Sequence, residues 1–272
     1  MRILIEAHHP SDIHFWKYVV HELIKRGHKT LLLARERDVM KQLLAAYEWI
    51  PHKTISSMLV KNTFPIAEML WRQYAVAKEI WSFKPDIVAS LMGSYTQTAK
   101  LFGKTNLIFT DSEHQNFNHR IAHPFADTIY TPNCFWKDLG RKQVRYAGNH
   151  ELCFLNPKYF KPDASVCKFY RTEPRQYIIL RLCAWNTLHD IGQSGLGDGI
   201  LQFVEKWKEH YSIIGVAEEG RCPNGLKKYI SKIPPDRFHD ALAYARLVIS
   251  EGASTASEAA CLGTPTVYIN ST

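Results

Sequence analysis

Residues 2–34 read RILIEAHHPSDIHFWKYVVHELIKRGHKTLLLA, and this stretch indicates the fold class. Two short apolar runs, Ile3–Ile5 and His28–Ala34, flank a segment whose apolar residues recur at helical spacing. Gly27 stands where a helix commonly ends. A strand, a helix and a second strand in this order predict a βαβ unit with parallel strands.

The same alternation continues along the chain. Further helices are expected over residues 37–47, 66–83, 199–210, 236–245 and 255–262. Further strands are expected over residues 86–90, 106–110, 128–130, 176–183, 211–215, 247–250 and 264–269. These strand-like runs are largely apolar throughout, which is typical of parallel strands buried on both faces.

A linker-like stretch at 156–163 interrupts the pattern. We therefore predict an α/β protein of GT-B-like type with two doubly wound, Rossmann-like domains that face a cleft. The N-terminal domain is expected over residues 1–160 and the C-terminal domain over residues 165–272. The second domain is short for a nucleotide-binding half, so it is either compact or incomplete.

Composition limits the classes of partner. Lys and Arg number 34 against 26 Asp and Glu, which gives a net charge of +8. A basic excess favours nucleotides, phosphosugars, lipid headgroups or nucleic acid, although plain solubility also explains it. The basic residues are spread along the chain without a nucleic-acid-binding motif, so no nucleic acid partner is expected. Peripheral association with a membrane stays open.

The cellular location is predicted from the cysteines and the chain start. Six cysteines stand singly without a C-x-x-C pair, which fits reduced thiols. The sequence shows no signal-peptide pattern, and its apolar runs are far shorter than the roughly 20 residues of a membrane span. These features predict a cytoplasmic protein.

The strongest site signal is SEGASTASEAACLGTP at residues 250–265, where a strand runs into a turn of small residues that opens a helix. Gly252 lets a ligand approach the backbone. The N–H groups of Ser254, Thr255 and Ala256 are expected to point out of the helix start, an arrangement that binds phosphate. Alternatively, Thr255 and Glu258 form a capping box, and the spacing alone does not decide.

A second candidate stretch, residues 181–195, follows the first strand of the C-terminal domain. In an open parallel sheet, ligands bind beyond the carboxyl ends of the strands, where this loop must lie. Arg181 and His189 could neutralise a pyrophosphate, and Gly192 gives the loop conformational freedom. The alternative is that Arg181 pairs with a carboxylate and His189 belongs to an ordinary turn.

The third candidate is the first βα loop, at residues 7–15. Ser11 or Asp12 is expected to cap the following helix. The loop lacks G-x-G-x-x-G, which argues against a dinucleotide-binding domain. His14 lies beside the apolar helix face and is expected to point toward the cleft, where an imidazole could deprotonate a hydroxyl. An ordinary histidine of the first helical turn is the alternative.

Asp111 and Glu113 follow the strand expected at 106–110 and should reach the same cleft. His119 and His123 lie four residues apart, which raises the question of a metal site. The spacing is loose and Pro124 interrupts any helix there, so no metal ligands are assigned.

The stretch at 254–265 resembles the donor site of GT-B glycosyltransferases and of UDP-sugar 2-epimerases. The resemblance implies that Gly252, Ser254 and Thr255 take the diphosphate and that Glu258 holds the ribose hydroxyls. It also places His14 where GT-B enzymes carry a catalytic base, although the usual preceding glycines are missing. Gly252 is followed by Ala253 where many members have a second glycine.

The chain as a whole is identified as a member of the domain-of-unknown-function 354 family, a prokaryotic group near the GT-B enzymes. The residues that carry this resemblance are 2–5, 14–15, 22–28, 84–86, 111–114, 146–151, 160–163, Arg181, Trp185, 189–192 and 254–265. Members of the family run longer, which implies that this chain stops inside its second domain.

We therefore expect a metal-independent glycosyltransferase that takes a UDP-sugar donor as substrate, needs no cofactor and uses a sugar or lipid-linked acceptor. Arg181, His189 and Gly192 would assist the donor site. His14 would be the base, with Asp111 or Glu113 in reserve. One alternative is a UDP-N-acetylglucosamine 2-epimerase that depends on Asp111 and Glu113. The other is a nucleotide-sugar-binding protein without catalysis.

Overall fold

The computed structural model describes residues 1–36, 39–57, 65–91, 93–183, 199–217 and 225–269. The chain forms two compact units, Met1–Phe154 and Leu155–Thr272. Each unit contains one parallel sheet and its own helices.

The N-terminal unit contains a seven-stranded sheet in the order β3-β2-β1-β4-β5-β6-β7. Its strands are β1 (Arg2–Ala7), β2 (Lys29–Glu36), β3 (His52–Ser57), β4 (Ile87–Ser90), β5 (Thr105–Phe109), β6 (Thr128–Pro132) and β7 (Gln143–Tyr146). Every neighbouring pair is parallel, which confirms the predicted topology. β3 and β7 were not predicted, because these edge strands are polar and largely exposed and carry no apolar run.

Among the described residues, six α-helices accompany the sheet of this unit, and the last of them, α6, extends one residue past the boundary between the two units. They are α1 (Pro10–Lys25), α2 (Met40–Ala46), α3 (Pro65–Phe83), α4 (Thr96–Leu101), α5 (Asn116–Ala122) and α6 (Leu152–Leu155). The helix α1 ends before Gly27, whose φ of 79° lies in the left-handed region, as predicted. Within the described ranges, no helix is both long and apolar enough to cross a bilayer.

The cap of α1 agrees with the prediction only in Asp12, which takes part as the N3 residue of a capping box. The N-cap is His9, not Ser11 or Asp12, and its Nδ1 accepts the Ser11 N–H at 3.3 Å. Asp12 instead accepts the N–H of His9 at 3.1 Å. The cap therefore lies earlier because Pro10 occupies the first helical position, where its missing N–H costs nothing.

Strand order positions the ligand-binding edge of this unit. The chain fills the sheet from β1 outward through β2 and β3, then returns to pair β4 with the other side of β1. Connections on the two sides of this point leave in opposite directions, which creates a crevice at the carboxyl ends of β1 and β4. A site in this unit is therefore expected where Ala7 and Ser90 end their strands.

The C-terminal unit contains a four-stranded parallel sheet in the order β11-β10-β8-β9. Its strands are β8 (Tyr177–Leu182), β9 (Ser212–Ala217), β10 (Leu247–Ser250) and β11 (Thr266–Tyr268), and its helices are α7 (Ser165–Phe169), α8 (Gly199–Trp207), α9 (Phe238–Tyr244) and α10 (Ala253–Cys261). Tyr177 and Ile179 belong to one core and Ile178 and Leu180 to another. Because alternate residues of β8 face opposite cores, the sheet is buried on both faces.

Candidate functional site

The turn between β10 and α10 is shaped by its own side chains. The Ser250 hydroxyl accepts the N–H of Gly252 at 3.0 Å and donates to the Gly252 carbonyl at 2.7 Å. Gly252 is the N-cap of α10, and no described side chain caps the helix there. The N–H groups of the first helical turn therefore face outward at the carboxyl edge of the sheet, where phosphate binds well.

The outward-facing N–H groups belong to residues 253–255, one residue earlier than the predicted 254–256. The Ala256 N–H already donates to the Gly252 carbonyl at 3.2 Å, so it belongs to the helix. The groups that precede the first intrahelical bond are those of Ala253, Ser254 and Thr255. The prediction was shifted because Ala253 and Ser254 have no apolar periodicity that would mark them as helical.

The capping-box alternative is wrong. Thr255 is the third residue of α10, and Glu258 lies in its second turn. Glu258 is 6% exposed, and its Oε1 lies 3.3 Å from Nε2 of His239, a residue of α9 that is 1% exposed. Glu258 therefore faces α9 rather than the helix start. Its role as a ribose ligand stays a prediction.

Glu251 joins the two central strands next to this turn, a role that no sequence pattern indicated. Its N–H donates to the Arg181 carbonyl at 3.0 Å, and its buried carboxylate accepts the Cys183 N–H at 2.8 Å. A Cβ on Gly252 would lie 3.2 Å from Cys183 Sγ, so a larger residue would be crowded there. The ends of β8 and β10 are thus held together next to the α10 start.

Arg181 lies opposite Ser250 in the parallel register and is half-buried on β8. Its guanidinium Nη1 donates to the Leu182 carbonyl at 3.0 Å, at the end of the strand that neighbours the turn. The predicted site residues His189 and Gly192 lie outside the described residues. Arg181, Gly252, Ser254 and Thr255 are consequently brought to one sheet edge.

The N-terminal unit holds a buried carboxylate at the crevice between β1 and β4. Glu6 is 1% exposed, its Oε1 lies 3.0 Å from His8 Nδ1, and its Oε2 accepts the Ser94 N–H at 3.1 Å. Burial raises the pKa of Glu6 to about 7, although the hydrogen bond from Ser94 opposes the rise. This carboxyl group can therefore exchange a proton near neutral pH.

Gly93 allows the loop after β4 to reach Glu6. Its φ is 76°, and a Cβ there would lie 2.7 Å from Ala122 Cβ and 2.9 Å from Ile108 Cδ1. Neither the backbone angle nor the space suits another residue. On the other side of the crevice, Asp12 accepts the His8 N–H at 2.7 Å and fixes the loop after β1.

His14, predicted to face the cleft, is buried in the structure. Its side chain is 5% exposed and packs against Tyr47 and Phe154, with ring centroids 6.3 and 5.8 Å away. The ring is buried because Tyr47, just after α2, and Phe154 of α6 pack against the helix face beside the apolar stripe of α1. The catalytic role assigned to His14 remains untested, but its ring is enclosed by aromatic groups.

Asp111, by contrast, lies at the surface just after β5 and has a partner. Its Oδ2 is 3.1 Å from Nδ1 of His150, which follows β7, and its side chain is 43% exposed. Burial raises the pKa of Asp111, but the hydrogen bond and charge of His150 and the Ser112 hydroxyl outweigh burial, so the pKa lies below its usual value. The Asp111 carboxylate is therefore ionised at neutral pH.

Glu113, the second predicted carboxylate, is tied to the loop after β6. Its Oε1 accepts the Trp136 N–H at 3.2 Å, and its carbonyl accepts a hydrogen bond from Lys137 Nζ at 2.5 Å. Asp111 and Glu113 therefore share one loop but have different partners. His150 belongs to residues 146–151, which resemble the family, but its spacing in the sequence does not indicate the contact with Asp111.

The histidines weighed as metal ligands stack on each other. The rings of His119 and His123 are 4.5 Å apart, and burial together with the charge of His119 lowers the pKa of His123 to about 4. In the part of the chain that the structure describes, no three His, Cys, Asp or Glu side chains gather closely enough to hold a metal ion.

Two parallel α/β units, the second with a glycine-containing turn that opens a helix at its sheet edge, define a protein of the GT-B-like fold class. The chain belongs to the family described as protein of unknown function DUF354, which matches residues 1–271. Both the fold class and the family confirm the predictions from sequence. No curated protein matches the chain.

Solved structures similar to this chain include enzymes of two kinds. UDP-GlcNAc 2-epimerase from Methanocaldococcus jannaschii, in complex with UDP-GlcNAc and UDP, matches with a TM-score of 0.72 at 15% identity, over 98% of this chain and 83% of that chain. The UDP-GlcNAc 2-epimerase from Neisseria meningitidis bound to UDP-GlcNAc matches with a TM-score of 0.64 at 14% identity, over 98% and 82%. A glycosyltransferase from Streptomyces sp. SF2575 matches with a TM-score of 0.60 at 13% identity, over 98% and 81%. At these identities the likeness shows the fold alone.

Proposed function

We propose that the protein is a glycosyltransferase that takes a UDP-sugar as donor and binds its diphosphate at the start of α10. The observation that carries this proposal is the outward-facing first turn of α10 at the carboxyl edge of the β10 strand. The N–H groups of Ala253, Ser254 and Thr255 and the positive end of the helix dipole suit a diphosphate. Proteins of the same fold have been solved with UDP-GlcNAc or UDP bound.

The other proposed contacts to the donor are made by residues at or near the same edge of the sheet. Arg181 on the neighbouring strand adds a positive charge that stabilises the diphosphate as it leaves. His189 and Gly192 complete the site in this proposal, and Glu258 binds the ribose hydroxyls. Since N–H groups and cationic side chains supply the stabilisation, the transfer is proposed to need neither a metal ion nor another cofactor.

The N-terminal unit is proposed to bind the acceptor, a sugar or a lipid-linked sugar, at the carboxyl edge of its sheet. This edge carries the ionised Asp111 and the buried Glu6, which exchange protons over different pH ranges. A transferase needs a base that removes the proton of the acceptor hydroxyl, and such groups are available here. We propose a cytoplasmic enzyme whose lipid-linked acceptors would bring it to a membrane surface.

A 2-epimerase is the second candidate function, favoured by the loop that carries Asp111 and Glu113. Elimination and re-addition of UDP at the sugar require carboxylates near the sugar ring, and these two share one loop. Several of the solved structures that are similar to this chain are UDP-GlcNAc 2-epimerases. A binding protein without catalysis is the third class.

The donor site is tested with Ala253→Pro. Proline is tolerated at the first helical position, and the preceding Gly252, at φ −98° and ψ 126°, already has the extended conformation that a proline requires. The substitution therefore removes one N–H donor while the helix stays intact. We expect UDP affinity to fall about tenfold to a hundredfold, as for a lost hydrogen bond to a charged group.

Ala253→Ser keeps the N–H and is the matched control. Calorimetric titration with UDP gives both affinities, and circular dichroism checks that each variant is folded. Equal UDP affinity in Ala253→Pro and Ala253→Ser would contradict diphosphate binding at α10. A wild-type protein that binds neither UDP nor a UDP-sugar would contradict the proposed function itself.

The reaction class is tested by incubating the protein with UDP-N-acetylglucosamine in heavy water. An epimerase breaks and remakes the C2–H bond, so deuterium would appear at C2 without an acceptor. A transferase leaves C2 unlabelled and releases UDP only when a free or lipid-linked sugar is added. Deuterium at C2 rejects the transferase, whereas binding of the donor without either reaction would favour the binding protein.

A further inference from the structure

Two buried polar atoms at the carboxyl edge of the N-terminal sheet make no hydrogen bond to any residue that the structure describes. They are Nε2 of His150 and the hydroxyl oxygen of Tyr146. Their rings are nearly parallel, at 5°, with centroids 6.3 Å apart. Buried polar atoms in native proteins are mostly hydrogen-bonded, so each of these atoms calls for a partner, either an ordered water or a group of a bound ligand.

The partner of His150 determines which hydrogen-bonding role its Nε2 can take. The Asp111 carboxylate lies 3.1 Å from Nδ1 and, because it is ionised, can only accept a hydrogen bond. Nδ1 must therefore carry a proton. In the neutral ring, Nε2 then has a lone pair and accepts, which is the tautomer of a general base.

Tyr146 supplies the complementary role. Burial raises the pKa of its phenol, so the hydroxyl stays protonated and can donate. A group that satisfies both atoms must donate to Nε2 and accept from the phenol. A hydroxyl does both, whether it belongs to a sugar or to water, whereas an ionised carboxylate cannot donate to Nε2 and an ammonium cannot accept from Tyr146.

The surroundings hold the His150 ring just beneath the surface. Phe15 of α1 packs edge-on against it, with centroids 4.9 Å apart. The His150 side chain is 12% exposed, so part of the ring reaches solvent although Nε2 is covered. Asp111 and His150 follow β5 and β7, at the carboxyl edge where ligands of parallel sheets bind.

We propose that His150 is the general base of the transfer reaction, that Asp111 positions it, and that Tyr146 binds the acceptor hydroxyl. This inference rests on the proposed function and moves the base from His14 to His150. His150 Nε2 takes the proton of the acceptor hydroxyl while that oxygen forms a bond to the anomeric carbon. The bond from this carbon to the diphosphate oxygen breaks, and its electron pair leaves with UDP. Asp111 stabilises the resulting imidazolium, which then loses its proton to water.

The test of the base compares His150→Gln with His21→Gln, a control on the exposed side of α1. UDP release from UDP-N-acetylglucosamine is measured with N-acetylglucosamine as acceptor, and UDP affinity is measured separately. His150→Gln should lower turnover about 10²–10⁴-fold, the usual contribution of a general base, with UDP affinity unchanged. Tyr146→Phe should raise the KM for the acceptor more than it lowers kcat. Turnover of His150→Gln equal to that of His21→Gln would overturn the proposal.

The roles of Asp111 and the hydroxyl site have a readout that does not require turnover. Nitrogen NMR of histidine-labelled protein should show neutral His150 with its proton on Nδ1. Asp111→Asn can donate to Nδ1 instead, so the proton should move to Nε2. Titration with N-acetylglucosamine should shift the His150 ring signals in the wild type and not in Tyr146→Phe. A wild-type proton on Nε2, or no shift with the sugar, would overturn the proposal even where UDP binds normally. A failure of UDP binding alone would reject the proposed function.

Discussion

Replacing Glu6 with Gln tests whether the carboxyl group in the crevice of the N-terminal unit has a raised pKa and keeps its proton up to about pH 7. The Glu6 carboxyl is 1% exposed, and burial raises its pKa from 4.5 to about 7. Because its pKa is higher in the folded chain, Glu6 contributes stability that is fully present below pH 4.5 and is lost as pH rises through about 7. The two pKa values differ by about 2.5, so at 1.36 kcal/mol for each unit about 3 kcal/mol is lost over this window.

Glu6→Gln cannot ionise and should remove this pH-dependent loss. Between pH 4.5 and 8, the free energy of unfolding of the wild type should fall by about 3 kcal/mol more than that of Glu6→Gln. Urea unfolding followed by tryptophan fluorescence measures this, since five of the seven tryptophans lie in Met1–Phe154. The exposed Glu48, replaced by Gln, is the control and should follow the wild type. If the curves of Glu6→Gln and the wild type run parallel across this range, the raised pKa is refuted.

Two further substitutions examine the loop after β4 and the donor site. Gly93→Ala should destabilise the protein by about 1–3 kcal/mol more than Gly103→Ala in urea unfolding, because Gly103 shares a positive φ but has open space around its Cβ position; equal losses would contradict the close packing of Gly93. Glu258→Gln should weaken UDP binding by about 1.5–3 kcal/mol in calorimetric titration, the range for a hydrogen bond to a charged group. Unchanged UDP affinity with reduced stability would instead assign Glu258 to its contact with His239 alone.

Most of the fold could be predicted because parallel strands that are buried on both faces are apolar at nearly every position, a pattern visible in the sequence. Strands such as β1 and β8 are continuous apolar runs, and their order with the helices fixes a parallel sheet. The edge strand β7 has no continuous apolar run, since half of its residues are exposed to solvent. Its place in the sheet depends on pairing with β6, which a local pattern does not reveal.

The candidate sites were predictable only where their residues are close in sequence. The Gly252–Thr255 turn was found because strand, turn and helix start follow one another. Glu6 and Ser94 are 88 residues apart, and only the pairing of β1 with β4 brings them together. The burial of His14 was not predicted for a related reason, because helical spacing showed its offset from the apolar stripe but not the rings of Tyr47 and Phe154 that pack against it.

The two carboxylates of the N-terminal sheet edge differ in a way that bears on catalysis. Glu6 is buried with His8, and its pKa is raised to about 7, whereas the pKa of Asp111 is lowered by His150. Environments that push two pKa values apart are the usual basis for separate acid and base roles. Asp111 is at the surface and keeps its charge, so it suits the stabilisation of an imidazolium that forms next to substrate. Glu6 contacts His8 and Ser94, so a proton held there acts on the loops of the crevice, whereas our proposal assigns the proton of the acceptor hydroxyl to His150 beside Asp111.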